Sequence, residues 1–331
     1  MIITRTPFRV SFFGGGTDLS AFYEEHGGAV LSTTIDKYMY IILKPRYDDL
    51  IVLNYSEKEI VDKVDAIRHN IYREALKFTG VTKGVEITSI ADIPSKGSGL
   101  GSSSAFTVGL LNALYTYKGD VRGPAQLAED ACSIEIEVLG EPIGKQDQYA
   151  AAFGGLKRYI FRKDGGVDIE SVNVPQSALL TVQSSCLLFF TGITRKASDV
   201  LSDQRGRIKD TTSSLRTLRD LALSMGESFV AGDCRSIGEK LDENWKEKRK
   251  LSSRVSTPQI DSLYQVGIEA GAFGGKLLGA GGGGFLLFVC PPDRREDVRS
   301  ALSGLRELPL AFTRYGSQVI FSFEEGVYPL Q

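Results

Sequence analysis

Ile93-Pro-Ser-Lys-Gly97-Ser-Gly99-Leu-Gly101-Ser-Ser-Ser104-Ala is the part of this chain with the clearest structural meaning. It follows a strand-like run at Val85–Ile90 and leads into Ala105–Tyr117, whose apolar residues have helical spacing. Glycines permit positive φ, so backbone N–H groups can turn inward, and a helix start adds unpaired N–H donors and a positive dipole. We therefore predict a phosphate-binding loop. Its residues are Lys96, Gly97, Ser98, Gly99, Leu100, Gly101, Ser102, Ser103 and Ser104.

Two other interpretations of this glycine-rich segment are a flexible loop and a Walker-type loop. A flexible loop with Ser102 or Ser103 as an ordinary helix N-cap is possible, but three glycines alternating with small residues between strand and helix favour the phosphate loop. A Walker-type loop is excluded, because Gly275-Lys276 has Ala270 and Leu277 where Gly and Ser or Thr are needed.

Two further glycine clusters lie near the ends of the chain. Gly14-Gly-Gly16-Thr17-Asp18 follows a strand at Ile2–Phe13, which we expect Pro7 to interrupt. Asp18 can cap the next helix or present its carboxylate to sugar hydroxyls, and the local sequence favours neither. Gly279-Ala-Gly-Gly-Gly-Gly284 matches G-x-G-x-x-G, but a strand follows where a dinucleotide site needs a helix, so we predict a tight turn where two backbones approach.

Carboxylates in the middle of the chain form the remaining candidate group. In Gly144-Lys-Gln-Asp147-Gln148-Tyr-Ala-Ala, an Asp flanked by two Gln and a Lys precedes small residues that pack closely, which favours a polar group directed into a cleft. The alternative is an ordinary Asp at a helix N-terminus. Upstream, Glu135 and Glu137 lie on different faces of a predicted helix, so at most one of them can face a common site.

Composition excludes several classes of protein. The chain has 331 residues, with 39 Lys and Arg against 41 Asp and Glu, so its formal charge of −2 disfavours nucleic acid or anionic membrane as a partner. The apolar runs Cys186–Phe190 and Phe285–Cys290 are far shorter than a bilayer span. We expect no secretory signal, reduced thiols and a cytoplasmic protein. With two His and isolated cysteines, zinc catalysis and a Ser/His triad are disfavoured.

The order of predicted elements indicates an α+β fold. Strands and helices alternate in the first half, and the second half begins with long polar-faced helices. We predict domains at residues 1–190 and 191–331, the second one a smaller α+β layer. The predicted elements are strands at Val30–Leu43, Leu179–Phe190, Leu308–Thr313 and Val319–Phe323, and helices at Asp18–Glu25, Val64–Phe78, Ala197–Val230 and Cys234–Lys250.

Taken together, three motifs resemble those of the GHMP superfamily, the kinases named for galactose, homoserine, mevalonate and phosphomevalonate. They are Thr6-Pro-Phe-Arg9-Val-Ser-Phe-Phe-Gly-Gly-Gly-Thr-Asp18, Pro94–Ala105 and Lys276–Gly284, and their order and spacing fit along nearly the whole chain. The resemblance implies a ribosomal-S5-like N-terminal domain followed by a ferredoxin-like domain. Gly-Gly-Gly-Thr-Asp and Gly-Lys-Gln-Asp-Gln-Tyr are most similar to bacterial kinases of D-glycero-D-manno-heptose 7-phosphate, which phosphorylate the anomeric hydroxyl.

The resemblance also implies roles for individual residues. The glycine loop would bind the phosphates of ATP, Ser103 and Glu135 would hold Mg²⁺, and Asp147 would accept the hydroxyl proton. Arg9 would hold Asp147 ionised and offset charge on the transferring group. Substrate contacts would come from Gly15, Gly16, Thr17, Asp18, Gln148 and, for the substrate's own phosphate, Arg195. Support for the phosphate loop would come from Gly279, Gly281, Gly282 and Gly283.

Gly15 and Gly16 stand where galactokinases carry Glu and His, which disfavours galactose and leaves room for a larger sugar. The alternatives are a fucokinase-like or other sugar 1-kinase, an ATP-driven decarboxylase of the same superfamily, and a non-catalytic ATP-binding protein of this fold. The last of these is disfavoured by the intact residues Asp147, Arg9, Ser103 and Glu135. The expected partners are a sugar phosphate and ATP, with a second copy of the chain in a homodimer as a further option.

Overall fold

Two β-sheets and the helices packed on them form the structure, a computed structural model that describes residues 1–93, 97–195 and 197–323. Within these ranges the larger sheet has nine strands. They are β1 (Ile2–Phe13), β2 (Gly28–Pro45), β3 (Ile51–Asn54), β4 (Lys58–Val61), β5 (Val85–Ala91), β6 (Lys157–Phe161), β7 (Val167–Ser171), β12 (Phe312–Thr313) and β13 (Gln318–Ser322). The smaller sheet comprises β8 (Cys186–Phe190), β9 (Gly274–Leu277), β10 (Phe285–Val289) and β11 (Arg306–Glu307).

Helices cover these sheets and connect their strands. They are α1 (Ser20–His26), α2 (Asn70–Thr79), α3 (Ser102–Tyr117), α4 (Pro124–Cys132), α5 (Gln146–Phe153), α6 (Gln176–Ser185), α7 (Ala197–Gly206), α8 (Ile208–Ser224), α9 (Gly226–Ala231), α10 (Cys234–Lys250), α11 (Pro258–Glu269) and α12 (Arg295–Ala301). Short 3₁₀ turns occur at Val64–Ala66 and Pro292–Arg294, and a π-helical turn occurs at Ser133–Val138. The mixture confirms the predicted α+β class.

The long hairpin of β1 and β2 is the centre of the larger sheet. The expected interruption at Pro7 was wrong, because Pro7 stays paired with Tyr38 and the ladder only shifts register between Pro7 and Arg9. Proline lacks one N–H donor, and a local irregularity in the ladder accommodates that loss without ending the strand. The strand therefore continues to Phe13 and places Arg9 within a rigid, buried element.

Helix α3 is buried on nearly every side, from Ser104 to Tyr115. It packs against β1 and β2 on one side and against α2, α4 and α5 on the other. A helix enclosed in this way is held rigidly, so its N-terminus at Ser102 has a fixed position relative to β1.

Several predicted elements differ from the observed ones. Leu179–Phe190 is the helix α6 followed by β8, because only the residues from Cys186 onward are buried as a strand while Leu180 on the helix is 50% exposed. The single helix expected over Ala197–Val230 is three helices, with breaks at Arg207 and Met225. The helix expected over Val64–Phe78 is a 3₁₀ turn followed by α2.

The two last strands belong to the larger sheet and not to the smaller one that we expected. Strand β13 pairs antiparallel with β1, and β12 pairs with β2. Residues from the end of the chain thus complete the sheet that carries Arg9. The division of the chain into domains at residues 1–190 and 191–331 stays a prediction.

Three strands of the smaller sheet, β8, β9 and β10, are almost entirely buried. On β10, Phe285, Leu287 and Val289 pack into the core of the larger sheet, whereas Leu286 and Phe288 pack into a second core beneath α11 and α12. This alternation explains why β10 consists entirely of apolar residues. In the described part of the chain, no helix combines the length and the apolar character that crossing a bilayer requires.

The N-cap of α11 allows a direct test of local stability. The Thr257 side chain accepts a hydrogen bond from the backbone N–H of Ile260, and Pro258 occupies the first turn. We expect Thr257→Ala to lower the free energy of unfolding by about 1 kcal/mol in urea titrations, because an N–H at the helix start loses its partner. Thr181→Ala, at an exposed position inside α6, is the matched control and should not destabilise the protein. Equal losses for both variants would contradict the cap assignment.

Candidate active site

A cavity of about 1430 Å³ runs along the predicted phosphate loop, and its wall includes residues from all three glycine clusters. In the loop, Gly97, Gly99 and Gly101 have φ angles of 70°, 74° and 72°, which favour glycine. Gly101 directly precedes α3, so the first N–H groups of that buried helix lie at the cavity wall. Ser98, Leu100, Ser102, Ser103 and Ser104 lie within this bend, whereas Lys96 lies outside the described residues.

The third glycine cluster approaches the phosphate loop closely at Gly279 and at Gly284. A Cβ on Gly99 would lie 2.5 Å from the Leu278 carbonyl oxygen, and one on Gly279 would lie 2.6 Å from the Gly99 Cα. Similarly, a Cβ on Gly284 would lie 2.6 Å from the Ser98 carbonyl oxygen. The two backbones therefore approach too closely for any side chain between them.

The intervening glycines pack elsewhere. Cβ atoms on Gly281, Gly282 and Gly283 would meet the backbones of Val255, Arg254 and Ile193, respectively. These three glycines join the turn to neighbouring segments of the second half of the chain.

Arg9 and Asp147 form a bidentate ion pair beside Gly101, at the C-terminal end of the phosphate loop. Arg9 Nε donates to Asp147 Oδ1 at 2.7 Å, and Nη2 donates to Oδ2 at 2.8 Å. Its third nitrogen, Nη1, donates to the Gly99 carbonyl oxygen at 2.6 Å. The Arg9 side chain is 4% exposed and that of Asp147 is 24% exposed, so the carboxylate is the more accessible partner, although both residues line the cavity. The bidentate geometry fixes the plane of this carboxylate against the loop.

Glu135 lies next to the start of α3. Ser103 Oγ donates to Glu135 Oε1 at 2.8 Å, and Gln148 Nε2 donates to Oε2 at 2.7 Å. Burial raises the pKa of Glu135, and the hydrogen bonds from Ser103, Ser104 and Gln148 oppose that change. Of the two glutamates considered from the sequence, Glu135 lies at the cavity, whereas Glu137 is exposed and accepts from Ser133.

The position of Gln148 corrects our expectation of a sugar contact. Its side chain is fully buried behind Glu135, and Gln148 is not part of the cavity wall. Gln146, two residues earlier, does line the cavity, and its amide bonds to Ser11 and Asp18. On a helix, residues two apart point in different directions, so only one of the two glutamines can face the cleft.

Asp18 and Thr17 hold the first glycine cluster in shape. Asp18 Oδ1 accepts from the Gly16 backbone N–H at 2.9 Å, and Oδ2 accepts from the Gln146 backbone N–H at 3.3 Å. Burial, followed by the nearby Asp147, raises the pKa of Asp18. Of the two roles that the sequence left open for Asp18, the helix cap is not observed, since α1 begins after Leu19 without a side-chain cap.

Thr17, expected to contact substrate, is fully buried. Its hydroxyl donates to the carbonyl oxygens of Gly14 and Ala29, so it ties the glycine cluster to β2. Gly16 lines the cavity, and a Cβ on Gly15 would lie 3.7 Å from Ser11 Oγ.

Two buried lysines near this cluster were missed from the sequence. Lys248 on α10 donates from Nζ to the Gly15 carbonyl oxygen at 2.9 Å, and Lys276 on β9 donates to the Phe12 carbonyl oxygen at 2.9 Å. Burial lowers the pKa of Lys248 to about 8 and lowers the pKa of Lys276 as well. A signal existed for Lys248, because it lies on the apolar face of α10, seven residues after Leu241.

Arg195 lies beside the phosphate loop, at the end opposite Asp147. Its backbone is about 3.3 Å from where a Cβ on Gly97 would lie, and its Cδ is 3.1 Å from the corresponding point at Gly282. The exposed side chain contributes to the cavity wall there.

An aromatic region forms the remaining wall of the cavity and had no sequence prediction. Tyr55, His69 and Phe106 line it, with the rings of His69 and Phe106 5.4 Å apart. Buried Glu59 orders this region by accepting from the Tyr55 hydroxyl and from the backbone N–H groups of Arg68 and His69. The region offers flat, apolar surface in the same cavity as the predicted phosphate loop.

Comparison with known proteins places this architecture in a family. The family models for the GHMP kinase N-terminal and C-terminal domains match residues 63–155 and 206–305. D-glycero-alpha-D-manno-heptose 7-phosphate kinase of Campylobacter jejuni is 32% identical over 316 residues, covering 91% of this chain and 93% of that relative. Galactokinase of Pyrococcus furiosus is 28% identical and covers 98% and 99% of the two chains.

Among solved structures, a D-glycero-D-manno-heptose 1-phosphate kinase from Bacteroides thetaiotaomicron superposes with a TM-score of 0.81 at 25% identity, covering 98% of this chain and all of that one. The similarity in sequence and in structure extends across both predicted halves. This chain is therefore a member of the GHMP kinase family.

Proposed function

We propose that this protein is a sugar kinase that uses Mg-ATP to phosphorylate the anomeric hydroxyl of a sugar phosphate, with D-glycero-D-manno-heptose 7-phosphate as the first candidate. The observation that carries the proposal is the Asp147 carboxylate, held by Arg9 at one end of a glycine loop and open to the same cavity. A positioned carboxylate beside a phosphate loop suits transfer of a phosphoryl group to a hydroxyl.

The nucleotide has a matching place along the cavity wall. The inward-turned backbone between Gly97 and Gly101, together with the α3 N-terminus, favours the phosphates of ATP. Beyond the loop, the rings of Tyr55 and Phe106 form a surface on which a nucleobase can stack.

Glu135 and Ser103 fit the oxygen ligands that Mg²⁺ prefers. In the described residues no cation forms an ion pair with the buried Glu135 carboxylate, so a bound cation would compensate its charge. Mg²⁺ binds through few protein oxygens and completes its shell with water and phosphates, which suits a site with one carboxylate and one hydroxyl. When bound, it would neutralise part of the charge on the nucleotide phosphates.

In the reaction, the sugar hydroxyl oxygen attacks the γ-phosphorus, the bond to the bridging oxygen breaks, and ADP leaves. Asp147 accepts the hydroxyl proton, late in the step because a sugar hydroxyl is far more basic than a carboxylate. Arg9 keeps the carboxylate oriented and lies close enough to offset charge at the transferring group. Asp18 and Gln146 then suit the remaining hydroxyls, since both line the cavity beside Asp147.

The acceptor is tested by turnover with coupled ADP detection. Heptose 7-phosphate, free heptose, mannose 6-phosphate, galactose and L-fucose are compared at saturating Mg-ATP. We expect the highest kcat/KM with heptose 7-phosphate and phosphate on the anomeric oxygen by ³¹P NMR. Highest activity with L-fucose would instead establish the fucokinase-like alternative, and absence of turnover with any sugar despite Mg-ATP binding would contradict the proposal.

A further inference from the structure

Lys248 is a buried cation that the reaction described above does not use. It extends from α10 to the first glycine cluster, where Nζ donates to the Gly15 carbonyl oxygen at 2.9 Å and to Gln204 Oε1 at 3.3 Å. Both acceptors are neutral, and within the described ranges no carboxylate pairs with this ammonium group at 4.0 Å or less. A buried ammonium that no carboxylate contacts directly is costly, so an anion bonded to it would be favourable.

Lys248 lies at the end of the cavity beside the first glycine cluster, where the sugar substrate would bind under the proposed function. Its Nζ would lie 3.2 Å from a Cβ on Gly16, and it is close enough to Asp18 for the two charges to interact. Arg195, by contrast, lies against Gly97 and Gly282, at the end of the phosphate loop away from Asp147. Lys248 and Arg195, which both line the cavity, thus flank different glycine clusters.

Arg9 and Lys276, two other cations near the first glycine cluster, are less available to a ligand in the cavity. All three Arg9 nitrogens donate to Asp147 or to Gly99, and Lys276 donates to Phe12 without forming part of the cavity wall. Lys248 does line the cavity, and an ammonium has three donors of which two are used here. One charge-assisted donor is left for a ligand.

Building on the proposed function, we propose that Lys248 binds the phosphate group that the acceptor sugar already carries, and so selects phosphorylated over free sugars. A phosphate supplies the negative charge that this buried ammonium lacks, whereas a neutral hydroxyl does not. Gln204 and the Gly15 carbonyl hold Nζ in place, which reduces the entropy lost when the ligand binds. Arg195 then lies on the donor side, which revises the role that we expected for it.

The test compares D-glycero-D-manno-heptose 7-phosphate with free D-glycero-D-manno-heptose in four variants. Lys248→Gln removes the charge and keeps a donor for Gly15, and Lys248→Met also removes the donor. We expect KM for the phosphorylated sugar to rise about 10- to 100-fold in both, with kcat and the KM for free heptose changed less than about 3-fold. Lys246→Met, on the exposed side of the same helix, is the control and should change none of these three kinetic parameters.

The fourth variant, Arg195→Ala, decides between the two cations. We expect it to raise KM for ATP and to leave the preference for the phosphorylated sugar intact. A selective loss in Arg195→Ala with none in Lys248→Gln would overturn the proposal. Equal losses on both sugars in the Lys248 variants would also overturn it, since Lys248 would then only hold the Gly15 loop.

The wild-type protein separates this inference from the proposed function. If it shows no preference for heptose 7-phosphate over free heptose, the proposed acceptor is wrong and the role of Lys248 fails with it. If it shows the preference and Lys248→Gln retains it, only the role of Lys248 is wrong. Should Lys248→Met fail to fold, Lys248→Gln still gives the answer, because it preserves the hydrogen bond to the loop.

Discussion

Asp147→Asn should lower kcat about 10²–10⁴-fold while Mg-ATP binding stays nearly unchanged. The amide is close to the carboxylate in size, so α5 and the phosphate loop keep their shape. It cannot accept the hydroxyl proton, and it leaves the buried Arg9 guanidinium without its counter-charge. Steady-state turnover with the best acceptor from the sugar panel, together with calorimetric titration of Mg-ATP, measures both effects.

Asp164→Asn is the control for this prediction. Asp164 lies in the exposed turn between β6 and β7 and also pairs with an arginine, Arg162. Its substitution removes an exposed Asp–Arg pair that is not part of the cavity wall and should leave kcat unchanged. Wild-type turnover in Asp147→Asn would remove Asp147 from the mechanism.

The second large effect is expected from Glu135→Gln, which should lower kcat/KM for Mg-ATP about 10²–10³-fold. The change keeps the side chain's size but removes the charge that a bound Mg²⁺ needs. The concentration of Mg²⁺ at half-maximal activity should rise as well, as a titration of turnover against Mg²⁺ at fixed ATP shows. A neutral side chain at this position is a much weaker ligand for a hard cation.

Glu137→Gln provides a matched comparison within the same π-helical turn. Glu137 is exposed and bonds only to Ser133 among the hydrogen bonds of the described residues, so neither kcat/KM nor the Mg²⁺ dependence should change. Identical Mg²⁺ curves for wild type and Glu135→Gln would refute the metal assignment. A shift in Glu137→Gln alone would transfer it to the other glutamate.

Local patterns were sufficient to locate the three glycine clusters, but they did not indicate the buried lysines or the aromatic residues beside them. Each cluster interrupts a regular period, and Gly97, Gly99 and Gly101 all adopt the positive φ that only glycine takes readily. Arg9 and Asp147 were paired through family resemblance, and the structure brings them together although they are 138 positions apart.

Other features depend on contacts that no local pattern contains. An apolar run such as Leu179–Phe190 does not by itself distinguish a helix from a strand. The chain changes from α6 to β8 at Cys186, where the residues become buried on both sides. Gln146 and Gln148 differ by two positions, and only the packing of α5 against Glu135 decides which of them faces the cavity.

From its own sequence, then, the protein specifies a nucleotide-sized loop, a candidate carboxylate and the order of its elements, because backbone freedom and apolar periodicity are local properties. The tertiary structure decides that Lys248, one of several lysines along a charged helix, is buried beside Gly15 and Asp18. The tertiary structure also places β12 and β13 in the larger sheet, where they pair with β2 and β1. Burial and electrostatic environment arise between segments distant in the chain, so they exist only once those segments have packed together.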